Sequence, residues 1–197
     1  MAVLDTRLVM ARTDFVARSP LTRDALAFAE GRHSGQKRDV DDLPFVTHPM
    51  EVACLLHEAG YSDEVVAAGV LHDVLEDTDA ERTELEERFG PDVAELVAAV
   101  TDDPGIEDPV ERKAALRSQV AEAGECAAAI FAADKVSKAR ELRVRASRDP
   151  LRDGDRNKVE HYDHSLGMLA ELIPGHALVD QLRQELQAVH ALPAVGA

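Results

Sequence analysis

The sequence predicts an all-α chain folded as a single helical bundle of about eight to ten helices. Three observations carry this. Apolar residues recur with a helical period along almost the whole chain, with no convincing strand and no internal repeat. The composition, 45% hydrophobic and 30% charged without a Trp, fits a helical protein with few β-branched runs. Helix-start and helix-stop residues punctuate the chain in register with that period. At 197 residues, positions 1–197 fit one domain able to bury a sizeable core.

The elements follow in order. Residues 1–18 carry no clear period. Pro20-Leu21-Thr22 opens a helix to about His33, with Thr22 as its expected cap. Residues 34–46, with Gly35, Pro44 and the run Asp39-Val40-Asp41-Asp42, read as a long polar loop. Thr47-His48-Pro49 starts the next helix, Thr47 or His48 at the cap and Pro49 in the first turn, where its missing N–H costs nothing. That helix ends near Gly60. Ser62 then caps a buried helix through Leu75 that carries His72. A short helix over Thr83–Phe89 is followed by one from Pro91 to about Val100, and Asp102-Asp103-Pro104-Gly105 is a turn. Asp108-Pro109 opens a helix to about Ala123, and Glu125 to about Ala146 forms a long one. Asp153–Leu172 and Gly175–Ala191 complete the set, divided at Pro174-Gly175.

Charge excludes some functions. A formal net charge of −16 argues against a nucleic-acid polymer or an anionic membrane as partner. No apolar stretch approaches the ~20 residues of a membrane span, and no signal-peptide pattern opens the chain. Cys54 and Cys126 make neither a disulfide framework nor a zinc knuckle, so reduced, buried thiols in a cytoplasmic protein are expected. Between Glu76 and Glu111 fourteen acidic residues face two basic ones, whereas Lys135 to Lys158 holds nine basic and four acidic. Such blocks are usually solvated helix faces. The basic one would also suit an anionic ligand if Asp134, just before it, belongs to a site.

The chemistry concentrates in Leu71-His72-Asp73-Val74-Leu75-Glu76-Asp77-Thr78. A His-Asp pair can hold a divalent metal, and carboxylates one turn on can manage the protons of a water. Glu76, at i+4 from His72 and i+3 from Asp73, falls on the same helix side. Asp134 is a lone charge in the apolar run Ala127–Ala133 and needs a metal or a helix cation as partner. His48, alone, would be a capping or packed histidine; beside a His-Asp pair it becomes a ligand candidate. Two imidazoles and two carboxylates suit Mn²⁺, Fe²⁺ or Zn²⁺, with octahedral geometry and open positions favouring Mn²⁺. His161 and His164, three apart, lack an acidic third ligand and read as surface or packed residues. Tyr162, Leu166, Leu169 and Leu172 form an apolar stripe for core or subunit packing, the latter allowing a homodimer.

The order His48 … His72-Asp73 … Asp134 resembles that of the HD-domain metal-dependent phosphohydrolases. Phe28-Ala29-Glu30-Gly31-Arg32-His33-Ser34-Gly35-Gln36-Lys37-Arg38, Pro44-Phe45-Val46-Thr47-His48-Pro49 and the His72 segment are similar to the hydrolase domain of the Rel/SpoT group, in particular its stand-alone small alarmone hydrolases. Phe89-Gly90-Pro91-Asp92-Val93 through Val100-Thr101 continues the similarity. The motif core covers about residues 22–142, with helices over 153–191 packed on it. The resemblance implies an all-helical HD domain that removes the 3′-pyrophosphate of (p)ppGpp with Mn²⁺. It makes His48, His72, Asp73 and Asp134 the metal ligands and Glu76 and Asp77 the acidic pair that handles water. Arg38 becomes the residue that packs on the base, as a guanidinium plane can. His33, Gly35 and Gln36 match a motif that shapes the loop.

Departures qualify the substrate. Where the group has Asp-Arg-Leu-His-Asn, this chain has Asp134-Lys135-Val136-Ser137-Lys138, with Glu141 a turn further on. Asp39 follows Arg38 where a basic residue is usual, and Asp102-Asp103 follows Thr101. These acids are expected to repel a polyanion, each weakly. Lys138, one turn beyond Asp134 on the same face, is expected to reach a phosphate of a phosphorylated nucleotide. Two alternatives to (p)ppGpp hydrolysis follow: hydrolysis of a different phosphorylated nucleotide or metabolite, and a non-catalytic metal-containing nucleotide-binding protein.

Overall fold

Helix starts follow capping chemistry, not always at the expected residue. In the computed structural model, which describes residues 14–148, 151 and 153–192, α1 (Asp14–Arg18) is a short turn ahead of α2 (Pro20–Arg32). Residues 1–13 and 193–197, the ends of the expected domain, lie outside the described residues. Ser19, not Thr22, caps α2: its hydroxyl accepts from the Thr22 amide at 3.2 Å, because Pro20 fits the first helical position and moves the start forward. Helix α3 (Thr47–Glu58) has Val46 at its N-cap, so neither Thr47 nor His48 caps it. The Thr47 hydroxyl instead donates to the Pro44 carbonyl at 2.8 Å.

Ser62 stands at the N-cap of α4 (Asp63–Leu71) as expected, but the helix does not run on to Leu75. It stops at Leu71, and His72-Asp73 link it to α5 (Val74–Asp77), a single turn. The Asp77 amide still donates to the Asp73 carbonyl at 2.9 Å, so Glu76 keeps its place one turn past His72. Next come α6 (Arg82–Phe89) and α7 (Pro91–Ala99), joined at Gly90, whose φ of 89° favours glycine. Helix α8 (Pro109–Ala123) is capped by Asp108, which accepts from the Val110 and Glu111 amides at 2.8 and 2.9 Å. The chain ends with α9 (Glu125–Ala146), α10 (Asp153–Leu172) and α11 (Ala177–His190). No strand occurs among the described residues; one antiparallel bridge, Lys37 to Pro44, closes the polar loop.

Helix α9 is the axis, with α3, α8, α10 and α11 packed around it. Its buried alanines, Ala127–Ala129 and Ala132–Ala133, let those neighbours approach closely. Gly69 does the same between α4 and α3: a Cβ there would overlap the Leu56 side chain. This brings His72, at the end of α4, beside His48 in the first turn of α3. Fully buried Leu56, Leu71, Leu85, Ile130 and Phe131 each contribute roughly 1.5–3 kcal/mol, the reserve that offsets burying four ionisable groups nearby. Tyr162 and Leu169 are buried, and Leu166 and Leu172 pack on the core, so the apolar stripe of α10 is core. Neither cysteine is in a disulfide; Cys54 is buried, Cys126 only half-buried. Among the described residues no helix is long and apolar enough to cross a membrane.

Candidate metal centre and cleft

The four expected ligands come from three places in the chain and meet at one buried point. His48 enters from α3, His72 and Asp73 from the α4–α5 link, and Asp134 from the middle of α9. His48 Nε2 lies 3.2 Å from Asp134 Oδ1 and 3.4 Å from Asp73 Oδ2. His72 Nε2 lies 3.0 Å from Asp73 Oδ2 and 3.5 Å from Asp134 Oδ1. Ligand atoms of His48, His72 and Asp134 all fall within 4.8 Å of one another. Asp73 stands just beside that trio, touching both imidazoles.

Each of these four residues keeps one buried polar atom without a hydrogen-bond partner: His48 Nε2, His72 Nε2, Asp73 Oδ2 and Asp134 Oδ1. Buried polar atoms rarely go unpaired, and four converging on one spot fit a cation as the missing partner. Ring orientation agrees. His72 Nδ1 is 2.9 Å from the Gly69 carbonyl, which can only accept, so Nδ1 carries a proton and Nε2 offers its lone pair inward. His48 Nδ1 likewise points away, to Ser137 Oγ at 2.9 Å.

Charge around the point is dense. Burial disfavours charging His72, but Asp73 and Asp134 outweigh it and raise its pKa to about 10, so a proton and a cation compete for the Nε2 lone pair. Burial likewise opposes ionisation of Asp134, yet Lys135 and Lys138 hold its pKa well below the carboxylate range. Lys135 Nζ lies 2.6 Å from Asp134 Oδ2, and Lys138 Nζ 2.9 Å from Oδ1 and 3.6 Å from Asp73 Oδ1. Of the two partners foreseen for Asp134, the helix cation is present twice: Lys135 at Oδ2, and Lys138 at Oδ1, which also faces both imidazoles.

A cleft of about 480 Å³ opens over this point. Glu76 and Asp77 stand on its rim, and burial pushes the pKa of each upward. The polar loop forms one wall and is tied to the acidic pair, since the Gln36 amide donates to the Asp77 carbonyl at 3.1 Å. Gln36 is itself held by His33 Nδ1 at 2.8 Å, the loop-shaping role expected of this motif. Arg38 is buried, its Nη2 3.0 Å from Glu141 Oε1 and its Nη1 donating to Thr47 Oγ1 at 3.3 Å. Lys135, Lys138, Arg145 and Lys158 of the basic block line the cleft, joined by Lys113 from α8.

Three groups near the centre carry no clear sequence signal. Glu51 sits three residues after His48 and accepts from Ser137 at 2.8 Å and from Arg140 at 3.0 Å. Lys135 lies buried over the Phe131 ring, 4.3 Å from its centroid. Arg117 donates to His161 Nδ1 at 2.8 Å, making His161 a packed residue of the cleft wall. His164 is exposed, and Asp163 pairs with His190 at 3.0 Å, so the His161/His164 spacing brings no ligand pair together.

Comparison with known proteins agrees with this geometry. The HD domain family matches residues 25–152. Guanosine-3′,5′-bis(diphosphate) 3′-pyrophosphohydrolase MESH1 of Drosophila melanogaster is 41% identical over 124 residues, covering 61% of this chain and 69% of that protein. The Homo sapiens protein of the same name is 40% identical over 122 residues, 60% of this chain and 68% of its own length. The bifunctional (p)ppGpp synthase/hydrolase SpoT of Escherichia coli is 44% identical over 79 residues, which is 40% of this chain but 11% of SpoT. A solved structure described as a metazoan ortholog of SpoT that hydrolyzes ppGpp superposes with a TM-score of 0.75 at 31% identity, covering 89% of this chain and 98% of that one.

Proposed function

This chain belongs to the HD domain family, and from that premise we propose that it is a metal-dependent phosphohydrolase releasing pyrophosphate from the 3′ position of (p)ppGpp. The observation that carries the reading is the convergence of four buried ligand atoms that lack a hydrogen bond, beneath a cleft rimmed by two carboxyls of raised pKa. His48, His72, Asp73 and Asp134 would hold the ion. A divalent ion there supplies Lewis acidity, polarising the scissile phosphoryl group and acidifying a water. We take Mn²⁺ as that ion, by the match of nitrogen and carboxylate oxygen ligands to it. The cytoplasm is the proposed compartment, in keeping with two cysteines that form no disulfide.

The chain's own residues do the rest. Glu76 and Asp77, biased towards protonation by burial, take a proton from the attacking water and return it to the departing ribose 3′-oxygen. Cleavage of that ester consumes one water and gives GDP and pyrophosphate from ppGpp. Lys138 holds a phosphate oxygen of the 3′-group, and Lys135 keeps Asp134 ionised. Arg38, held by its ion pair with Glu141 and its hydrogen bond to Thr47, would pack on the base.

One observation favours a second reading, a different phosphorylated nucleotide. The Arg38 side chain is only 5% exposed, a narrow face on which to stack a base. Product analysis decides. Mn²⁺-loaded protein incubated with ppGpp should yield GDP and pyrophosphate, and the doubly substituted His72→Ala/Asp73→Ala protein should yield neither. Intact ppGpp beside a metal-loaded protein would transfer the assignment to the second reading, tested next with a nucleotide panel.

A further inference from the structure

A line of hydrogen bonds runs from the metal centre to the far side of α9. His48 Nδ1 meets Ser137 Oγ at 2.9 Å, and Ser137 Oγ meets Glu51 Oε2 at 2.8 Å. The other carboxylate oxygen of Glu51 accepts from Arg140 Nη1 at 3.0 Å, and Arg140 Nε donates to Glu185 at 3.0 Å. His48, Glu51 and Ser137 are all buried. None of Glu51, Ser137 or Arg140 is among the residues by which the chain resembles its family, and Ser137 replaces a histidine of the family pattern.

The polarity of this line is fixed from its far end. Arginine can only donate, so Glu51 Oε1 accepts. The Glu51 carboxylate has no proton to give, so Ser137 must donate its single hydroxyl hydrogen to Oε2. Ser137 is left with acceptor capacity alone, which obliges His48 Nδ1 to carry a proton. Glu141 Oε1, 3.9 Å from the same nitrogen, is too far to take that bond. Nε2 then turns its lone pair towards Asp73 and Asp134. We propose that Arg140, Glu51 and Ser137 act as positioning residues that lock His48 in the metal-binding tautomer. This deepens the metal-centre reading and rests on it. In metal sites such outer partners fix the ring of a ligating histidine and set affinity.

The lock can be reversed without changing its shape. In Glu51→Gln the amide oxygen must face Arg140, because the amide nitrogen there would meet a second donor. The amide nitrogen then donates to Ser137, whose hydroxyl turns to donate to His48 Nδ1. The proton moves to Nε2, where it blocks the ion. Ser137→Ala only removes the bias, leaving the ring free to choose. Loss of packing alone would rank the variants the other way, since Glu51→Gln is isosteric and Ser137→Ala leaves a gap.

The experiment titrates Mn²⁺ by calorimetry into the full-length, chelator-stripped protein and its Glu51→Gln, Ser137→Ala and Glu185→Gln variants. Nitrogen-15 spectra of His48 in the metal-free proteins accompany it. Glu51→Gln should weaken affinity by about 10–100-fold and Ser137→Ala by less, with Nδ1 protonated in the natural protein and unprotonated in Glu51→Gln. Glu185→Gln removes the same charge from the same arginine and should stay within about threefold, the scale of a partly screened charge. Equal affinity in Glu51→Gln, a larger loss in Ser137→Ala, or an Nδ1 proton persisting in Glu51→Gln would overturn the proposal. Should Glu51→Gln not fold, a Ser137→Ala affinity equal to that of the natural protein overturns it instead. Absence of Mn²⁺ binding by the natural protein would refute the metal-centre reading, while the nitrogen spectra would still decide the lock.

Discussion

His161 should make this protein acid-labile by an amount that can be calculated. Its imidazole sits in the cleft wall with Arg117 donating to Nδ1 at 2.8 Å. Burial first, and then Lys135, Lys113 and Arg117, hold its pKa down to about 2, against 6.5 for a free histidine. Protonation would set an N–H against the arginine's own N–H. A base whose folded pKa is depressed gives stability that is complete above the unfolded pKa and drains away as the pH falls towards the folded one. The window here runs from about pH 6.5 down to about pH 2. Between pH 7 and pH 5 the unfolded chain takes up most of one proton at this residue and the folded chain almost none. Integrating at about 1.4 kcal/mol per pH unit gives a loss of about 2 kcal/mol. That figure holds for any folded pKa below about 4, so it does not depend on the depth of the depression. The perturbation is His161→Asn, which keeps an acceptor near the Nδ1 position but cannot titrate. Urea unfolding of both proteins in chelator at pH 7, 6 and 5 yields a difference curve in which the other titrating groups cancel. The natural protein should lose about 2 kcal/mol relative to the variant across that range, whatever the variant's absolute stability. A difference flat with pH would mean that His161 is solvated and protonates in the fold, and the assigned packing would be wrong.

Three further outcomes are expected. Mn²⁺ at about 100 times its dissociation constant should stabilise the protein by roughly 2.7 kcal/mol, and calorimetric melting should show that rise vanish in Asp134→Asn. Glu76→Gln and Asp77→Asn should each lower kcat on ppGpp by about 10²–10⁴-fold while calorimetry shows the ion still binding; unchanged kcat would remove them from the chemistry. Gly69→Ala gains about 1 kcal/mol of helix propensity but forces a methyl into the buried Leu56 side chain, which costs about 1–3 kcal/mol. Urea denaturation should therefore report a net loss, and a more stable variant would show that α3 and α4 do not need their close approach.

What could be read from the sequence was whatever local chemistry decides. The helix over Glu125–Ala146 stands out because an alanine-rich run tolerates only one charge, and Asp134 is that charge. The Asp108 cap and the prolines at 49, 91 and 109 mark helix starts because their side chains act within one turn. The expected cap of α2, Thr22, was wrong because Ser19 is a capping residue too and Pro20 after it fits the first helical position. The end of α4 at Leu71 was hidden because apolar period continues through Val74, so nothing local announces the break. The candidate quartet His48, His72, Asp73 and Asp134 was legible as residue types in order, and the fold brings the four together. The line through Glu51 was not, because its bonds join residues 86 and 89 positions apart. Arg117 and His161, 44 apart, escape notice for the same reason.

The same distinction bears on the substituted cleft residues. Read along the chain, Asp39, Asp102 and Glu141 look like acids added where a polyanion must sit. In the fold, Glu141 is spent on Arg38 at 3.0 Å, and Asp102 lies against Lys113 and within 3.6 Å of Arg112. Asp39 is exposed, where solvent and salt screen it. Each departure thus has a compensating neighbour or none to disturb. The cleft lining holds seven Lys and Arg side chains against five Asp and Glu, in a chain whose formal net charge is −16. A positive cleft on an acidic protein favours a polyanionic ligand there over the rest of the surface, and a divalent ion at the quartet would add to that bias. Lys138 belongs to the same pattern. Set one turn past Asp134, it puts a cation at the mouth of the site, one-third exposed and within reach of a phosphate there. The departures therefore leave the cleft lining with more cations than anions, the sign that suits a polyanion.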